Sequence, residues 1–451
     1  MTASVLIGLL LQAVAVWLVH VAIAGRWFDH VGAILLGVAV AGHGGSEVVQ
    51  AVFPGRNPFR SFVTQAAIDN WVVLVSCAIL AYAVGYAAVV SRPACGLPAS
   101  GDRAGYVDGL KLRWIVVCAA PLAVATFQGR GALQPTAPGQ AAPRDHYMLT
   151  GLASQYLVLL LALIGVVVMV RYGARWIAPV AAGQVAVVST VGARSAIVTV
   201  CVLTVFGAAM CGVRLPRRQI ALVAVVAALF AITISSARDV SGRTPWQADS
   251  NAQQRITALV DGAEHLAAGD GTEAILDDFV YRLDFNTFGA LVLDGLNRNR
   301  PGVGAVTVRN NLLLGVPSFL NPDKLATTVE DRNEEAFISA RFGLDTRFDW
   351  LPGVFGTVVA YWGAAGLLVI ALLFGLAMAG AQTVIGRAAS PWRLVLAIGL
   401  AQCALLYEGG PAVYVTQFRG AVTVVAVLLV LRWTRPLLPH LRRRGSAVTA
   451  S

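Results

Sequence analysis

Residues 177–210 read IAPVAAGQVAVVSTVGARSAIVTVCVLTVFGAAM, and Arg194 is the only charged residue among them. A run of this kind predicts a hairpin of two membrane helices, at about residues 176–190 and 195–213, joined by a tight turn at VGAR. A guanidinium is charged at every physiological pH and is costly to hold near lipid. The position of Arg194 in this turn therefore needs a physical reason.

The composition predicts an all-α, polytopic integral membrane protein. Of the 451 residues, 57% are hydrophobic and only 13% are charged, whereas soluble domains carry about a quarter charged residues. The chain starts with MTASVLIGLL, which lacks the basic n-region of a cleavable signal peptide. The six cysteines include no C-x-x-C pair, so we expect neither a disulfide framework nor a zinc site.

Eleven apolar stretches predict membrane-spanning helices and so define the organisation of the chain. They lie at about residues 4–24, 31–51, 71–91, 114–129, 151–170, 176–190, 195–213, 220–237, 354–380, 392–408 and 413–431. The predicted parts are spans one to eight (residues 1–237), a large polar segment (238–353), spans nine to eleven (354–431) and a basic tail (432–451).

The distribution of Lys and Arg predicts the orientation of these spans. The short loops and the tail on one side hold 17 basic residues, and the short loops on the other side hold 6. Cytoplasmic loops carry the excess of Lys and Arg. We therefore expect a multi-pass protein of the bacterial plasma membrane whose N-terminus and large segment are extracytoplasmic and whose C-terminus is cytoplasmic. The net charge of +10 mostly reflects this bias and does not indicate nucleic acid as a partner.

The large segment, residues 238–353, has its own helical pattern and holds 17 acidic and 11 basic residues. Apolar residues recur at helical spacing in NAQQRITALVDGAEHLAAG (251–269) and in TEAILDDFVYRLDFNTFGALVLDGL (272–296). These two stretches predict two amphipathic helices that cap the membrane part. A connection of this length is usually functional or structured.

Two arginines in or near predicted spans are candidates for substrate binding. Arg194 lies on the same side as the large segment, either as a loop residue whose side chain reaches the surface or as a cation for an anionic substrate. Arg419 is predicted about two turns inside the last span. Charges inside a membrane usually have a partner, and Glu408 is the nearest candidate. The pair is either a structural clamp or part of a substrate site.

Other candidates lie in the large segment. Arg282 and Asp284 are two residues apart, so they do not share a helix face and can meet one ligand only if the helix ends there. Arg341 and Asp349 belong to the charged stretch SARFGLDTRFDWLPG before the chain re-enters the membrane. This stretch is either solvated surface or the rim of an active site.

The first loop on that side and the outer end of the second span contribute further polar residues. Arg56 and Arg60 lie in PGRNPFRSFVTQAAIDN and are candidate substrate-binding cations. In AGHGGSEVV, the glycines predict that the second span weakens, so that His43 and Glu47 lie at its exit. No Walker A, H-E-x-x-H or G-x-S-x-G pattern occurs in a usable context. We therefore expect a mechanism without a metal, nucleotide or other cofactor.

The organisation resembles that of the bacterial Wzy-type polysaccharide polymerases, which join oligosaccharide repeat units. GARSAIVTV resembles their small-residue–Arg–small-residue motif on a helix before the large segment. NNLLLGVPSFLNPDK resembles a Pro-containing stretch near the end of that segment. LPGVFGTVVAYWGAAGLLVIALLFGL is similar to the Gly-rich helix that follows it. The likeness covers roughly residues 176–380.

This resemblance implies a glycosyltransferase that polymerises polyprenyl-diphosphate-linked repeat units into a surface polysaccharide or exopolysaccharide at the outer face of the membrane. It implies Arg194, assisted by Arg419, at the diphosphate, and Arg282 and Arg341 on the donor or acceptor glycan. Asp284 or Asp349 would be the base. The implied partners are the lipid-linked glycan and the bilayer, with a chain-length regulator and a flippase as further candidates.

Three alternatives remain open at this stage. O-antigen ligases share the layout, but their family has a His-containing motif near the end of the segment, where this chain has none; His265 lies far from that end. A flippase of lipid-linked glycans would use the same cations, although the chain shows no internal repeat. A scaffold subunit of an envelope assembly would leave the charges incidental.

Overall fold

A computed structural model describes most of the membrane part and three portions of the large segment. The described residues are 1–91, 107, 110–127, 156–189, 194–241, 252–269, 272–298, 300, 302–303, 334–344, 352–389, 391–407 and 411–433. All regular secondary structure in these ranges is helical, as the composition predicts.

The described ranges contain fifteen α-helices. Their bounds are α1 Ala3–Ala22, α2 Val31–Val52, α3 Gln65–Val90, α4 Leu112–Phe127, α5 Val158–Tyr172, α6 Ile177–Ser189, α7 Arg194–Met210, α8 Arg217–Ser241, α9 Ala252–Ala267, α10 Thr272–Arg282, α11 Asn286–Asn297, α12 Glu334–Phe342, α13 Gly353–Arg387, α14 Trp392–Leu405 and α15 Pro411–Trp433.

Each of the eleven predicted spans overlaps one of these helices, because long apolar runs leave the backbone no other way to satisfy its polar groups in lipid. By length and composition, α1, α2, α3, α8 and α13 can cross a membrane. Apolar parts of α4, α5, α7 and α14 are shorter, at 10–17 residues. The count of eleven spans therefore stays a prediction.

Glycines bring the backbones of α3 and α13 into direct contact at the centre of the bundle. A Cβ on Gly85 would overlap the carbonyl oxygen of Leu372, and a Cβ on Gly375 would overlap the carbonyl oxygen of Tyr82. Small residues allow such close approach where packing has to drive helix association in lipid. α13 is interrupted at Gly363, whose φ is +68°, so its first ten residues pack separately against α11.

The bundle has two distinct ends. At one end Val354 N–H donates to the carbonyl of Tyr407 at 3.1 Å, and α2 meets the large segment; we call this the segment end. At the other, which we call the opposite end, Gln382 Nε2 donates to the carbonyl of Asp29 at 3.3 Å. The loops were divided above into a side rich in basic residues and a side poor in them. The contacts named here join, at each end, parts of the chain that belong to one side only.

The prediction of a single second amphipathic helix over residues 272–296 of the large segment is wrong, because the structure has two helices there. α10 ends at Arg282 and α11 begins at Asn286, because Asp284 between them accepts hydrogen bonds from the backbone N–H groups of Asn286 (2.9 Å) and Thr287 (3.1 Å). A side chain that accepts the first free N–H groups starts a new helix. The break turns α11 onto α3 and α13.

The predicted weakening of the second span is also wrong, since α2 runs unbroken to Val52. Its glycines make room for neighbours instead. A Cβ on Gly42 would lie 3.1 Å from the ring of Phe285, and a Cβ on Gly44 would overlap the side chain of Gln12. His43 between them is consequently buried inside the bundle rather than at its exit.

The register of α7 and α14 sets the depth at which Arg194 lies. Gly207 of α7 contacts Ile398 of α14, and the two helices run in opposite directions between the ends. Thirteen residues of α7 separate Gly207 from Arg194, while nine residues of chain separate Ile398 from Tyr407. At 1.5 Å per residue, Arg194 therefore begins α7 at the segment end, about one turn beyond the level of Tyr407.

Candidate functional site: a buried polar site at the segment end

Nine polar residues from four parts of the chain meet where the large segment joins the bundle. We call them the polar site. They are His43, Ser46, Glu47, Asn57, Arg60, Asp284, Asn286, Thr287 and Tyr407. Buried polar groups stabilise a structure only when their hydrogen bonds are satisfied, so the bonding of each charged or titratable member is informative.

Asp284 is the centre of the polar site. Its side chain is 2% exposed, and its two oxygens accept hydrogen bonds from six donors in the described residues. The donors are Ser46 Oγ, Asn57 Nδ2, Arg60 Nε, the N–H of Asn286, the N–H of Thr287 and Thr287 Oγ1. Burial raises the pKa of Asp284, but the charge of Arg60 and these hydrogen bonds outweigh burial and lower it overall.

Arg60 bridges two carboxylates that lie far apart in the sequence. Its Nε is 3.2 Å from Asp284 Oδ2, and its two Nη atoms each donate to one oxygen of Glu47. This forked, two-oxygen pairing is the strong geometry for a guanidinium. Burial lowers the pKa of Arg60, while Asp284 and Glu47 raise it by more. The donors of Arg60 are thus directed at protein carboxylates, which argues against its predicted role as a substrate-binding cation.

The amide of Asn286 fixes the proton position on His43. Its Nδ2 donates to Glu47 Oε1 at 2.8 Å and to the carbonyl of His43 at 2.9 Å. Its Oδ1 then accepts from Trp71 Nε1, which can only donate, and faces His43 Nδ1 at 2.7 Å. His43 Nδ1 therefore carries a proton. In the neutral ring Nε2 is the acceptor, and Tyr407 Oη donates to it at 2.8 Å.

Aromatic rings enclose this histidine. The rings of Trp71, Phe285, Phe355 and Tyr407 have centroids 5.7–6.4 Å from that of His43. His43 is 0% exposed, and α2, α3, α11, α13 and the end of α14 all contribute to the enclosure. His43 and Asp284 are thus closed to solvent, whereas the side chain of Arg60 is 17% exposed. In the described residues, the hydrogen bonds of this site join parts of the protein to one another.

The predicted residues Arg282 and Arg56 lie around the polar site. Arg282 ends α10, with its Nε 3.5 Å from Asp278 and its guanidinium 5.4 Å from the ring centre of Tyr281. Arg56 pairs with Glu273 and, at 3.0 Å, with Asp277. The hydrogen bonds that Arg56 donates to Glu273 and then to Asp277 raise the pKa of Arg56. Arg56 thus connects the loop after α2 to α10, whereas the named partners of Arg282 lie within α10 itself.

The structure describes some of the other predicted residues and not others. Arg341 is exposed near the end of α12, and Arg419 is half-buried about two turns inside α15. Arg194 is the first residue of α7, and its side chain is not described. Asp349 and Glu408 lie outside the described residues, so the predicted Arg419–Glu408 pair stays a prediction. The described geometry brings Asp284, Arg60 and Glu47 together and adds none of the other predicted residues to them.

The sequence prediction missed five members of the polar site, which are Ser46, Asn57, Asn286, Thr287 and Tyr407. One local signal was present. Asp284 stands two residues before Asn-Thr and an apolar run, which is the type of residue expected at the start of a helix. The roles of Asn57 and Tyr407 had no such signal, because their partners are 227 and 364 residues away in the chain.

The fold and the polar site define an α-helical membrane protein whose large polar segment is fastened to one end of the bundle. Among the described residues, no three His, Cys, Asp or Glu side chains gather in a way that could hold a metal ion. In comparisons with known protein families, curated proteins and solved structures, none matches the chain.

Proposed function

We propose that the protein is a membrane glycosyltransferase that polymerises polyprenyl-diphosphate-linked oligosaccharide repeat units. The segment end would face the outside of the plasma membrane, as the excess of basic residues in the other loops favours. The product would be a surface polysaccharide or exopolysaccharide. The proposal is supported by the resemblance of residues 176–380 to Wzy-type polymerases and by the position of one arginine in the chain fold.

The observation that carries the proposal is the position of Arg194 as the first residue of α7 at the segment end. Free backbone N–H groups and the helix dipole make a helix N-terminus favourable for phosphate. An arginine at the same place adds a permanent charge and a planar fork that matches phosphate oxygens. A lipid diphosphate presented at the membrane edge would meet both features together.

The reaction would transfer a glycan between two lipid carriers. The hydroxyl oxygen of the acceptor repeat unit attacks the anomeric carbon of the donor, the bond from that carbon to the diphosphate breaks, and the hydroxyl proton goes to a carboxylate. Negative charge grows on the leaving diphosphate, so Arg194 stabilises the transition state more than the ground state. The activated donor bond supplies the driving force, and neither a nucleotide nor a metal is needed for it.

The carboxylate that takes the proton has to be free to do so. The six donors on Asp284 and its lowered pKa argue against this residue as a general base. Asp349 is therefore the base in our proposal. Arg282, Arg341 and Arg419 stay candidate contacts for the glycan or the diphosphate. The polar site would hold α10 and α11 in place beside them.

The direct test is reconstitution of the purified protein in liposomes with a polyprenyl-diphosphate-linked repeat unit. We expect lipid-linked glycans of two or more repeats. Transfer of a labelled unit across the bilayer without growth would instead establish the flippase alternative. Transfer only to an acceptor other than a repeat unit would establish a ligase. Either result overturns the polymerase proposal.

The residue-level test is Arg194→Lys, which keeps the charge and removes the planar fork. We expect polymerisation to fall by roughly 10²–10³-fold, the usual effect of losing one donor to a developing anion. The matched control is Arg175→Lys at the opposite end of the bundle, which should polymerise as the unmodified protein does. Normal activity of Arg194→Lys would exclude the proposed diphosphate contact.

A further inference from the structure

The helix α9 of the large segment has an exposed apolar face that no described part of the protein covers. Ile256 and Val260 are 48% and 49% exposed. At 100° per residue, Ala263 and Ala267 fall on the same side of the helix, and both are exposed. We call these four residues the apolar stripe.

The remaining faces of α9 have different surroundings. Ala258 and Gly262 are buried against α8, where a Cβ on Gly262 would lie 2.6 Å from the backbone nitrogen of Ala237. On the other side of the apolar stripe, Thr257 and Glu264 are exposed and polar. α9 thus has a protein-facing side, an apolar exposed side and a polar exposed side, which is typical of a helix at the boundary between lipid and water.

The surface of α8 that α9 covers shows where this boundary lies. Leu222, Val225, Leu229 and Ile232 recur at helical spacing and are all exposed, as expected for the lipid-facing side of a membrane helix. Ser236 continues the same side one turn further, and there its hydroxyl donates to the carbonyl of Gly262 at 2.9 Å. α9 therefore packs on the same side of α8 as these exposed apolar residues, immediately beyond Ile232.

From this continuity we infer that α9 is embedded in the lipid leaflet at the segment end, with the apolar stripe against lipid and Thr257 and Glu264 facing water. α8 presents exposed apolar side chains before this contact and again at Val240, which is 48% exposed, so the contact with α9 lies between apolar surfaces of the same helix. This inference concerns how the large segment meets the bilayer and does not depend on the proposed activity.

The test is site-directed spin labelling of the full chain in liposomes, after its six cysteines are replaced by alanine. A nitroxide is attached at Ile256→Cys or Val260→Cys, and its collisions with oxygen, which concentrates in lipid, are compared with collisions with a water-soluble nickel chelate. Thr257→Cys, one residue along the same helix, is the matched control. Leu229→Cys on α8 gives the value for a lipid-facing site.

We expect oxygen collisions to exceed chelate collisions at positions 256 and 260, as at 229, and the ratio to reverse at 257. Low collision rates with both reagents at 256 and 260 would mean that protein covers the stripe. High chelate rates there would mean that it faces water. Either result overturns the inference. If the larger residues do not tolerate the label, Ala263→Cys and Glu264→Cys give the same comparison with a smaller change in the apolar stripe.

Discussion

Two buried histidines, one at the start of α2 and one within it, are bonded differently. His43, at the segment end, has a partner for each ring nitrogen. His30, at the opposite end, accepts a hydrogen bond at Nδ1 from Gln382 Nε2 at 2.8 Å, so its Nε2 carries the proton. That Nε2 is buried and has no hydrogen-bond partner among the described residues.

The difference shows where polar bonding stabilises this bundle. At both ends it joins residues that are hundreds of positions apart. At the segment end it includes two carboxylates and a guanidinium. At the opposite end Tyr86 donates to Gln382, which in turn donates to the neutral His30, and the Nε2 of His30 has no partner among the described residues. Because a buried polar group without a partner costs more than a typical hydrogen bond gains, we expect substitutions at the two ends to differ in their effect on stability.

The largest effect is expected for Asp284→Asn. The change leaves Arg60 with one carboxylate and places amide N–H groups opposite other donors, so unfolding should become easier by about 3–5 kcal/mol, as for other broken buried ion pairs. Thermal unfolding of the purified protein in detergent measures this. The matched control, Asp278→Asn, removes a half-exposed carboxylate 3.5 Å from Arg282 and should change stability far less. Equal losses would contradict the central role of Asp284.

A smaller loss is expected for His43→Leu. It leaves the Tyr407 hydroxyl buried without its acceptor and takes one donor from Asn286, which should cost about 1–3 kcal/mol. Adding Tyr407→Phe removes the stranded hydroxyl, so the double variant should be less destabilised than the sum of the two single variants. Strict additivity in this double-mutant cycle would show that the two side chains do not interact.

The opposite end should respond mainly to pH. At neutral pH His30→Leu should cost less than about 1 kcal/mol, because it removes one hydrogen bond together with an unsatisfied donor. Burial, then the charge of Arg26, lower the pKa of His30 to about 4 from its ordinary 6.5, against an opposite effect of Asp29.

His30 is therefore harder to protonate in the folded protein than in the unfolded chain. The stability that this contributes is fully present above pH 6.5 and is lost as the pH falls towards about 4. We expect the melting temperature of the unmodified protein to drop more than that of His30→Leu between about pH 7 and about pH 5. Equal drops would assign the acid sensitivity to other groups.

The smallest effect is expected at the edge of the segment end. Arg56→Gln removes the pairs with Glu273 and Asp277, whose side chains are 79% and 49% exposed. Exposed pairs of this kind are weak and are screened by salt, so the melting temperature should change little and not at all in high salt. A loss comparable with that of Asp284→Asn would show that bonding across the whole segment end, and not its buried part, fastens the segment.

The sequence predicted the helices well because hydrophobic length is a local property. Each of the eleven apolar runs overlaps a helix, whereas the helix break at Asp284 escaped prediction. Apolar spacing in residues 272–296 is compatible with one helix, and only the hydrogen bonds of the Asp284 side chain divide it. Charge pattern did select Asp284, Arg60 and Arg56, but it suggested contacts with substrate where the structure shows contacts with protein carboxylates and amides.

Contacts between residues far apart in the sequence are what the sequence patterns could not predict. Glu47 and Arg60 are neighbours, but Asp284 is 224 residues from Arg60, and Tyr407 is 364 residues from His43. No periodicity in one region indicates a partner that far away. The glycines of α2 illustrate the same point, since their meaning depends on Phe285 and Gln12 rather than on the helix itself.

The long separation between Arg60 and Asp284 has a consequence for biosynthesis. At roughly 5–20 residues per second, the ribosome takes about 10–45 seconds to proceed from Arg60 to Asp284. Throughout that interval Glu47 and Arg60 can pair with each other, but the carboxylate of Asp284 has not yet been synthesised. Tyr407, the partner of His43, is synthesised later still. The first three helices are thus inserted before the residues that complete their polar bonding exist. Final assembly of this end of the bundle therefore has to follow synthesis of the large segment.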